Sequence, residues 1–239
     1  MTQKRSNNKF FIGIAVAFLL PLSLYLIVSK LSKGKIKMPK HYIIEKVDTL
    51  AGDPPKLDTV YHQVGDLVLT NQVGEKVSLN KDLEGKMVVI NFFFAECSAT
   101  CPKLSKSMRT LQMGFKKDPK KETNLSNDIQ FISITVMPEH DSFQVLRAYA
   151  DRYDANPDHW WFLTGDKKTI YEFARKELGI ATGPGDGGAE DFIHSDKLIL
   201  LDKNRYVRGY YDGLNDTAVT KCADDIVLLT LEKDRKKKK

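Results

Sequence analysis

The stretch Met87-Val88-Val89-Ile90-Asn91-Phe92-Phe93-Phe94-Ala95-Glu96-Cys97-Ser98-Ala99-Thr100-Cys101-Pro102 decides how the rest of the chain is read. Its first eight residues form a nearly continuous apolar run, the pattern of a strand covered on both faces. Two thiols follow at the end of that run, with Pro102 directly behind them. Proline lacks an N–H and has its φ fixed near the helical value, so it suits the first helical position and pushes the residue before it out of the helical region. A helix is therefore expected from residue 102, with both sulfurs in the loop that opens it. A helix N-terminus favours thiolate over thiol, and the thiolate is both the nucleophile and the soft metal ligand. The pair can bind a metal or close a disulfide. Two buried thiols that do neither are the competing reading, since free Cys often behaves as a small hydrophobe.

Working outward, residues 64–69 and 76–79 have short-strand character around the turn Asn71-Gln72-Val73-Gly74 and predict a hairpin. Downstream, strands are expected at residues 87–94, 129–136, 197–201 and 206–211, with a short apolar run at 160–163. Helices are expected at about 102–115, 142–153, 167–178 and 216–231. This alternation implies an α/β, thioredoxin-like sandwich with an N-terminal β-hairpin extension.

Residues 10–29 carry no charge and are mostly Phe, Ile, Leu, Val and Ala, matching the ~20 residues a helix needs to cross a hydrocarbon core. A cleaved signal peptide would have a shorter apolar region and a small-residue cleavage site, which Lys30-Leu31-Ser32-Lys33 is not. The chain thus divides into a basic segment (1–9), a transmembrane signal anchor (10–29), a stalk (30–60) containing the breaker Asp53-Pro54-Pro55, one domain (61–232) and a basic tail (233–239). The formal charge is +6, yet residues 1–40 hold eight basic and no acidic residues, and residues 233–239 hold six basic and one acidic. The domain between them is net acidic, which removes nucleic acid as a partner. Five lysines follow the apolar run and three basic residues precede it, a count that by itself keeps the domain in the cytoplasm. Large domains translocate despite such flanks, and the thiol chemistry suits an exported domain.

A structural zinc site needs about four ligands, and the third cysteine, Cys222, lies among Val219, Ala223, Ile226 and Leu229 at helical spacing, a core pattern. His194 stands just before the strand at 197–201, where a thioredoxin-like fold brings a loop beside the cysteine loop. Two thiolates and an imidazole make a soft, low-coordinate set suited to Cu(I). An ordinary surface histidine is the other reading of His194. His41, His62, His140 and His159 have no metal spacing to one another, Gly183 to Gly188 lacks the residues of a phosphate loop, and Trp160 and Trp161 read as packing residues.

Further segments carry a resemblance. Gly65-Asp66-Leu67-Val68-Leu69-Thr70, the cysteine stretch above, Ile132-Ser133-Ile134-Thr135-Val136-Met137-Pro138-Glu139-His140-Asp141, Trp161-Phe162-Leu163-Thr164-Gly165 and His194-Ser195 occur in that order. Across residues 65–231, about 70 per cent of the chain, this set resembles the SCO/SenC family of thioredoxin-fold copper proteins. The resemblance implies a membrane-anchored copper chaperone that supports assembly of the copper site of cytochrome c oxidase. Its copper ligands would be Cys97, Cys101 and His194. Its partner would be the apo copper-site subunit of the oxidase or another copper acceptor, reached from the periplasmic or mitochondrial intermembrane-space side. Such a protein needs no turnover chemistry. The alternative is an enzyme, a thiol–disulfide oxidoreductase with Cys97 and Cys101 as its redox pair, although the usual motif of that class has two intervening residues. The Thr and Pro that precede a peroxidatic Cys are missing. The family usually has Pro after the first cysteine, Asp at Met137, Arg at His140 and Asp at Ile193. Asp196, on the same side of an extended segment as His194, is a candidate to replace the last of these.

Overall fold

The computed structural model describes residues 8–32, 37–50, 56–116, 125–180 and 195–236. The uncharged run lies within helix α1 (Asn8–Ser32), which includes Pro21 and exposes Phe18, Leu19, Leu24 and Tyr25. Among the described residues no helix is long and apolar enough to cross a membrane. The side chains at positions 8–12, 14, 15 and 32 of α1 lie outside the description.

A separate compact unit begins at Pro39. Its first elements, β1 (Ile44–Leu50) and β2 (Lys56–Tyr61), pair antiparallel with Val47 opposite Thr59 and Thr49 opposite Leu57. Residues 44–50 and 56–61, within the stretch expected as stalk, thus form paired strands. Their charged residues and exposed Val47 and Leu57 give them no buried face, so the periodicity that marks core strands is absent.

The main sheet takes β3 (Val68–Asn71), β4 (Lys76–Ser78), β5 (Met87–Phe93), β6 (Ile129–Thr135), β7 (Trp160–Thr164), β8 (Lys197–Leu201) and β9 (Val207–Asp212) in the order β4-β3-β7-β6-β5-β8-β9. β5, β6 and β7 are parallel and the other pairs antiparallel. The run at residues 160–163 thus becomes an interior strand. Helices α2 (Cys101–Gly114), α3 (Phe143–Asp151), α4 (Lys167–Glu172) and α5 (Asp216–Lys236) complete the unit, α4 running on into a π-helical turn, Phe173–Glu177.

β5 and β6 are buried at every position. Val88, Ile90 and Phe92 face one core with Ile132, Ile170 and Tyr171. Met87, Val89 and Phe93 face the other with Leu104, Met108 and Leu146. Each such side chain contributes about 1.5–3 kcal/mol on burial, so the strand that leads to the cysteines is held firmly from both faces.

Candidate metal centre

Beyond β5 the chain turns at Phe94-Ala95-Glu96-Cys97, closed by the Cys97 N–H donating to the Phe94 carbonyl at 3.3 Å. Thr100 caps α2 through its backbone alone, without a side-chain bond, and Cys101 is the first helical residue with Pro102 behind it. The expectation that both sulfurs sit in the loop therefore holds for Cys97 only. The Cys101 N–H donates to the Cys97 Sγ at 3.3 Å, so that sulfur satisfies one of the free donors at the start of α2, while the Cys101 side chain packs into the core at 6 % exposure.

Both thiols are free, and their environments differ. Burial works to raise the Cys97 thiol, but hydrogen bonds from the Cys101 thiol and from the backbone of Cys101, Ala99 and Thr100 outweigh it and hold Cys97 below the usual thiol range. Burial pushes Cys101 up to about 12, helped by its thiol contact with Cys97. The pair thus offers one thiol that loses its proton more readily than usual and one buried thiol that holds its proton more tightly.

His194, Ile193 and Asp191 lie outside the described residues. The next residue, Ser195, opens the approach to β8, which pairs antiparallel with β5 through Ile90 opposite Ile199 and Val88 opposite Leu201. β8 therefore runs beside the strand that leads into the cysteine turn. Asp196 is fixed there: its carbonyl accepts the Gly213 N–H at 2.8 Å, and Gly213 lies against the first turns of α2. A Cβ at Gly213 would stand 2.1 Å from Leu104 Cδ1 and 3.0 Å from the Asp196 oxygen, so any side chain there would have to displace Leu104. Ser107 of α2 donates to the Gly213 carbonyl at 2.7 Å. Among the described residues no three His, Cys, Asp or Glu side chains gather as a metal cluster.

The remaining candidates separate. Cys222 is fully buried in α5, and burial pushes its thiol well up. Met137 packs half-buried against the core and His140 is exposed. His41 stacks on Tyr61, and His62 bonds Glu177 at 2.9 Å. Trp160 is buried and donates from Nε1 to Ser133 at 2.9 Å. Sequence reasoning missed Asp141, which is 1 % exposed and whose Oδ2 accepts both the Ala95 N–H at 3.0 Å and the Thr135 hydroxyl. Burial raises its carboxyl above the usual carboxylate range despite those bonds.

A sequence profile described as SCO1/SenC matches residues 56–227. The SCO1 protein homolog of Bacillus subtilis (strain 168) is 30% identical over 171 residues, which is 71% of this chain and 82% of that protein. The solved structure of BsSco, described as a member of the Sco family of cytochrome c oxidase assembly proteins with a disulfide switch, superimposes with a TM-score of 0.60 at 27% identity, covering 82% of this chain and 99% of that one. ScoI of Arabidopsis thaliana, solved with copper bound, shares the fold at a TM-score of 0.52 and 22% identity, over 68% of this chain and 96% of its own. With thioredoxin-like α/β architecture, a paired cysteine turn and a profile match over most of its length, the chain belongs to the SCO1/SenC family.

Proposed function

We propose that the chain is a membrane-anchored copper chaperone in which Cys97, Cys101 and His194 hold copper for an acceptor site, the copper-site subunit of cytochrome c oxidase or a site of similar chemistry. The observation that supports this reading is the antiparallel pairing of β8 with β5, so that the strand after His194 in sequence runs beside the strand that leads into the cysteine turn. Two thiolates and an imidazole match Cu(I), which takes soft ligands at low coordination number. The poised Cys97 supplies the first sulfur, and metal binding would draw the proton from Cys101, as thiolate ligation requires. Residues 10–29 would be the anchor, with the domain on the periplasmic or intermembrane-space side. Copper is cargo here, and release by ligand exchange needs no turnover. The copper-bound plant relative and the Bacillus relative associated with oxidase assembly both support the reading.

The unequal thiols favour a second reading, thiol–disulfide exchange. The Cys97 thiolate would attack a partner disulfide and expel one partner thiolate. Cys101, losing its proton, would then attack the Cys97 sulfur, closing an internal disulfide and releasing the second partner thiol. The partner is reduced by two electrons and the chain oxidised by two.

Anaerobic titration of the reduced, detergent-solubilised chain separates the two. One copper per chain is expected, lost in Cys97→Ser and in Cys101→Ser. His194→Ala should weaken copper binding about tenfold or more while barely slowing exchange with a small disulfide. Tight stoichiometric copper in both cysteine variants would overturn the ligand assignment, and unchanged copper affinity with a large loss of exchange in His194→Ala would reverse the ranking.

A further inference from the structure

Among the described residues β1 and β2 pair only with each other, as a two-stranded sheet apart from the seven-stranded one. The base of this hairpin is closed by the His62 N–H donating to the Ile43 carbonyl at 2.9 Å, and tied to β9 by the Tyr42 N–H donating to the Val207 carbonyl at 3.1 Å. Beyond that base β1 offers the outer edge of seven residues. Two strands alone are marginally stable in water, and an open edge is a template for a further strand. Natural edges are commonly closed to other chains by charge. The charges of β1 do the reverse for one particular partner.

Val47 is the middle residue of β1, with Lys46 before it and Asp48 after it. A two-fold axis through Val47 lays β1 antiparallel against β1 of a second copy along its whole length, with Val47 opposite Val47 and Lys46 of each copy opposite Asp48 of the other. The register with β2 slips between Ile44 and Lys46 and is regular from Lys46 onward, so the charged centre lies in the even part of the strand. Lys46 and Asp48 share one face and meet at 2.9 Å with both side chains open to solvent. Within the hairpin Asp48 also stands opposite Asp58, a like-charge pair that works against the strand pairing. Lys46 of a second copy, on the open side of Asp48, offsets it. On the other face Val47, 52 % exposed, meets Val47 of the copy. The outer edge of β2 lacks this fit: laid against its own reverse over Lys56–Tyr61 it sets Asp58 opposite Thr59, and the register that brings Lys56 opposite Asp58 overlaps only three residues.

We propose that β1 is a self-association edge: a second copy of this chain pairs its own β1 antiparallel across Val47, and the two hairpins join in one four-stranded sheet. The complementarity is between a strand and its own reverse, which is what selects a second copy rather than another chain. A single strand pair buries little surface, so the dimer is weak and reversible. It uses neither Cys97 nor Cys101 and stands apart from both the copper and the thiol-exchange readings.

The test is sedimentation velocity of the full, reduced, detergent-solubilised chain at rising protein concentration, with co-purification of differently tagged chains to read mixed pairs. The unaltered chain should self-associate reversibly. Lys46→Asp and Asp48→Lys should each weaken self-association about tenfold, because like charges then face each other at both cross-strand pairs. A mixture of those two variants should associate at the unaltered level. The double exchange, Lys46→Asp with Asp48→Lys, should associate with itself and about tenfold less with the unaltered chain. Asp58→Lys, on the strand behind, should not weaken association. Lys46 and Asp48 belong to neither core, so these changes leave the packing of the domain alone. Absence of self-association would overturn the proposal, and so would association indifferent to every charge change, which is what α1 acting alone would give. Loss of association in Asp58→Lys, with the Lys46 and Asp48 variants unaffected, would overturn it too, since β2 would then be the edge.

Discussion

Burial falls unevenly on the two thiols, with Cys97 partly exposed in its turn and Cys101 packed beside Leu104 and Met108. Their spacing and the apolar run before them were readable in the sequence. The asymmetry was not, because it depends on which sulfur ends up inside the helix. The same burial has a pH consequence. Cys101 is raised to about 12 from an ordinary value of 9.0, and Cys222, Tyr149 and Tyr211 are raised as well, burial being the main cause in each. In the unfolded chain these groups ionise near their ordinary values, so above about pH 9 it releases protons that the folded chain keeps. The stability they contribute is therefore complete below the unfolded thiol value and declines as pH rises toward the folded one. Urea midpoints measured from about pH 9, above the window in which the lowered Cys97 thiol acts, to about pH 11 should fall. A midpoint that stays level to the top of that window would contradict the buried placement of these groups.

The interior strands were the most legible elements, because β5 and β6 are apolar and buried at every position and sit between two cores. β7 was visible only as an apolar run, since five residues are too few to distinguish a strand from a buried helical turn. The β1–β2 hairpin was not legible, as its stability comes from cross-strand pairing rather than a buried face. Arg205 was passed over for another reason: it sits between β8 and β9 with φ at +64°, a left-handed conformation that favours glycine or asparagine. What holds it there is its buried guanidinium, which donates to the carbonyls of Leu79 at 2.8 Å, Lys86 at 2.8 Å and Leu83, and to Asn80 Oδ1 at 3.0 Å. One side chain thus ties the loop that launches β5 to the hairpin that follows residue 194. Arg205→Ala should cost about 3 kcal/mol, several buried acceptors losing their donor at roughly 1 kcal/mol each. Arg205→Lys should recover little, because an ammonium cannot fork to acceptors spread over that loop. Chemical denaturation should record the loss as a lower midpoint at unchanged slope, and a loss below about 0.5 kcal/mol, the size of an ordinary surface substitution, would mean those bonds are exchanged for water at no cost.

Charge and hydropathy divide the whole chain into parts with different solvents. The basic residues cluster in positions 1–40 and 233–239, leaving an acidic domain between them, so attraction to anionic lipid belongs to the flanks and fades within a Debye length, about 8 Å at physiological salt. The anchor proposal rests on the sequence, which is uncharged throughout residues 10–29, together with the exposed apolar side chains of α1 such as Phe18 and Tyr25. Two forces then compete over orientation. Lys30, Lys33, Lys35, Lys37 and Lys40 favour keeping the following domain in the cytoplasm, against Lys4, Arg5 and Lys9 on the other flank. The proposed function pulls the other way, since a copper acceptor outside the cytoplasm could be served only by thiols on the same side. A domain of this size is also less subject to the flanking-charge rule than a short loop is. The expected outcome is that protease added to intact spheroplasts of an expressing bacterium digests the domain while leaving a membrane-bound N-terminal fragment. Replacing the five lysines after residue 29 with glutamine should leave that pattern unchanged, because translocation has already overcome them. Protection of the domain until lysis, converted to digestion by the lysine replacement, would mean that the flanking charge governs and that Cys97 and Cys101 face the reducing cytosol.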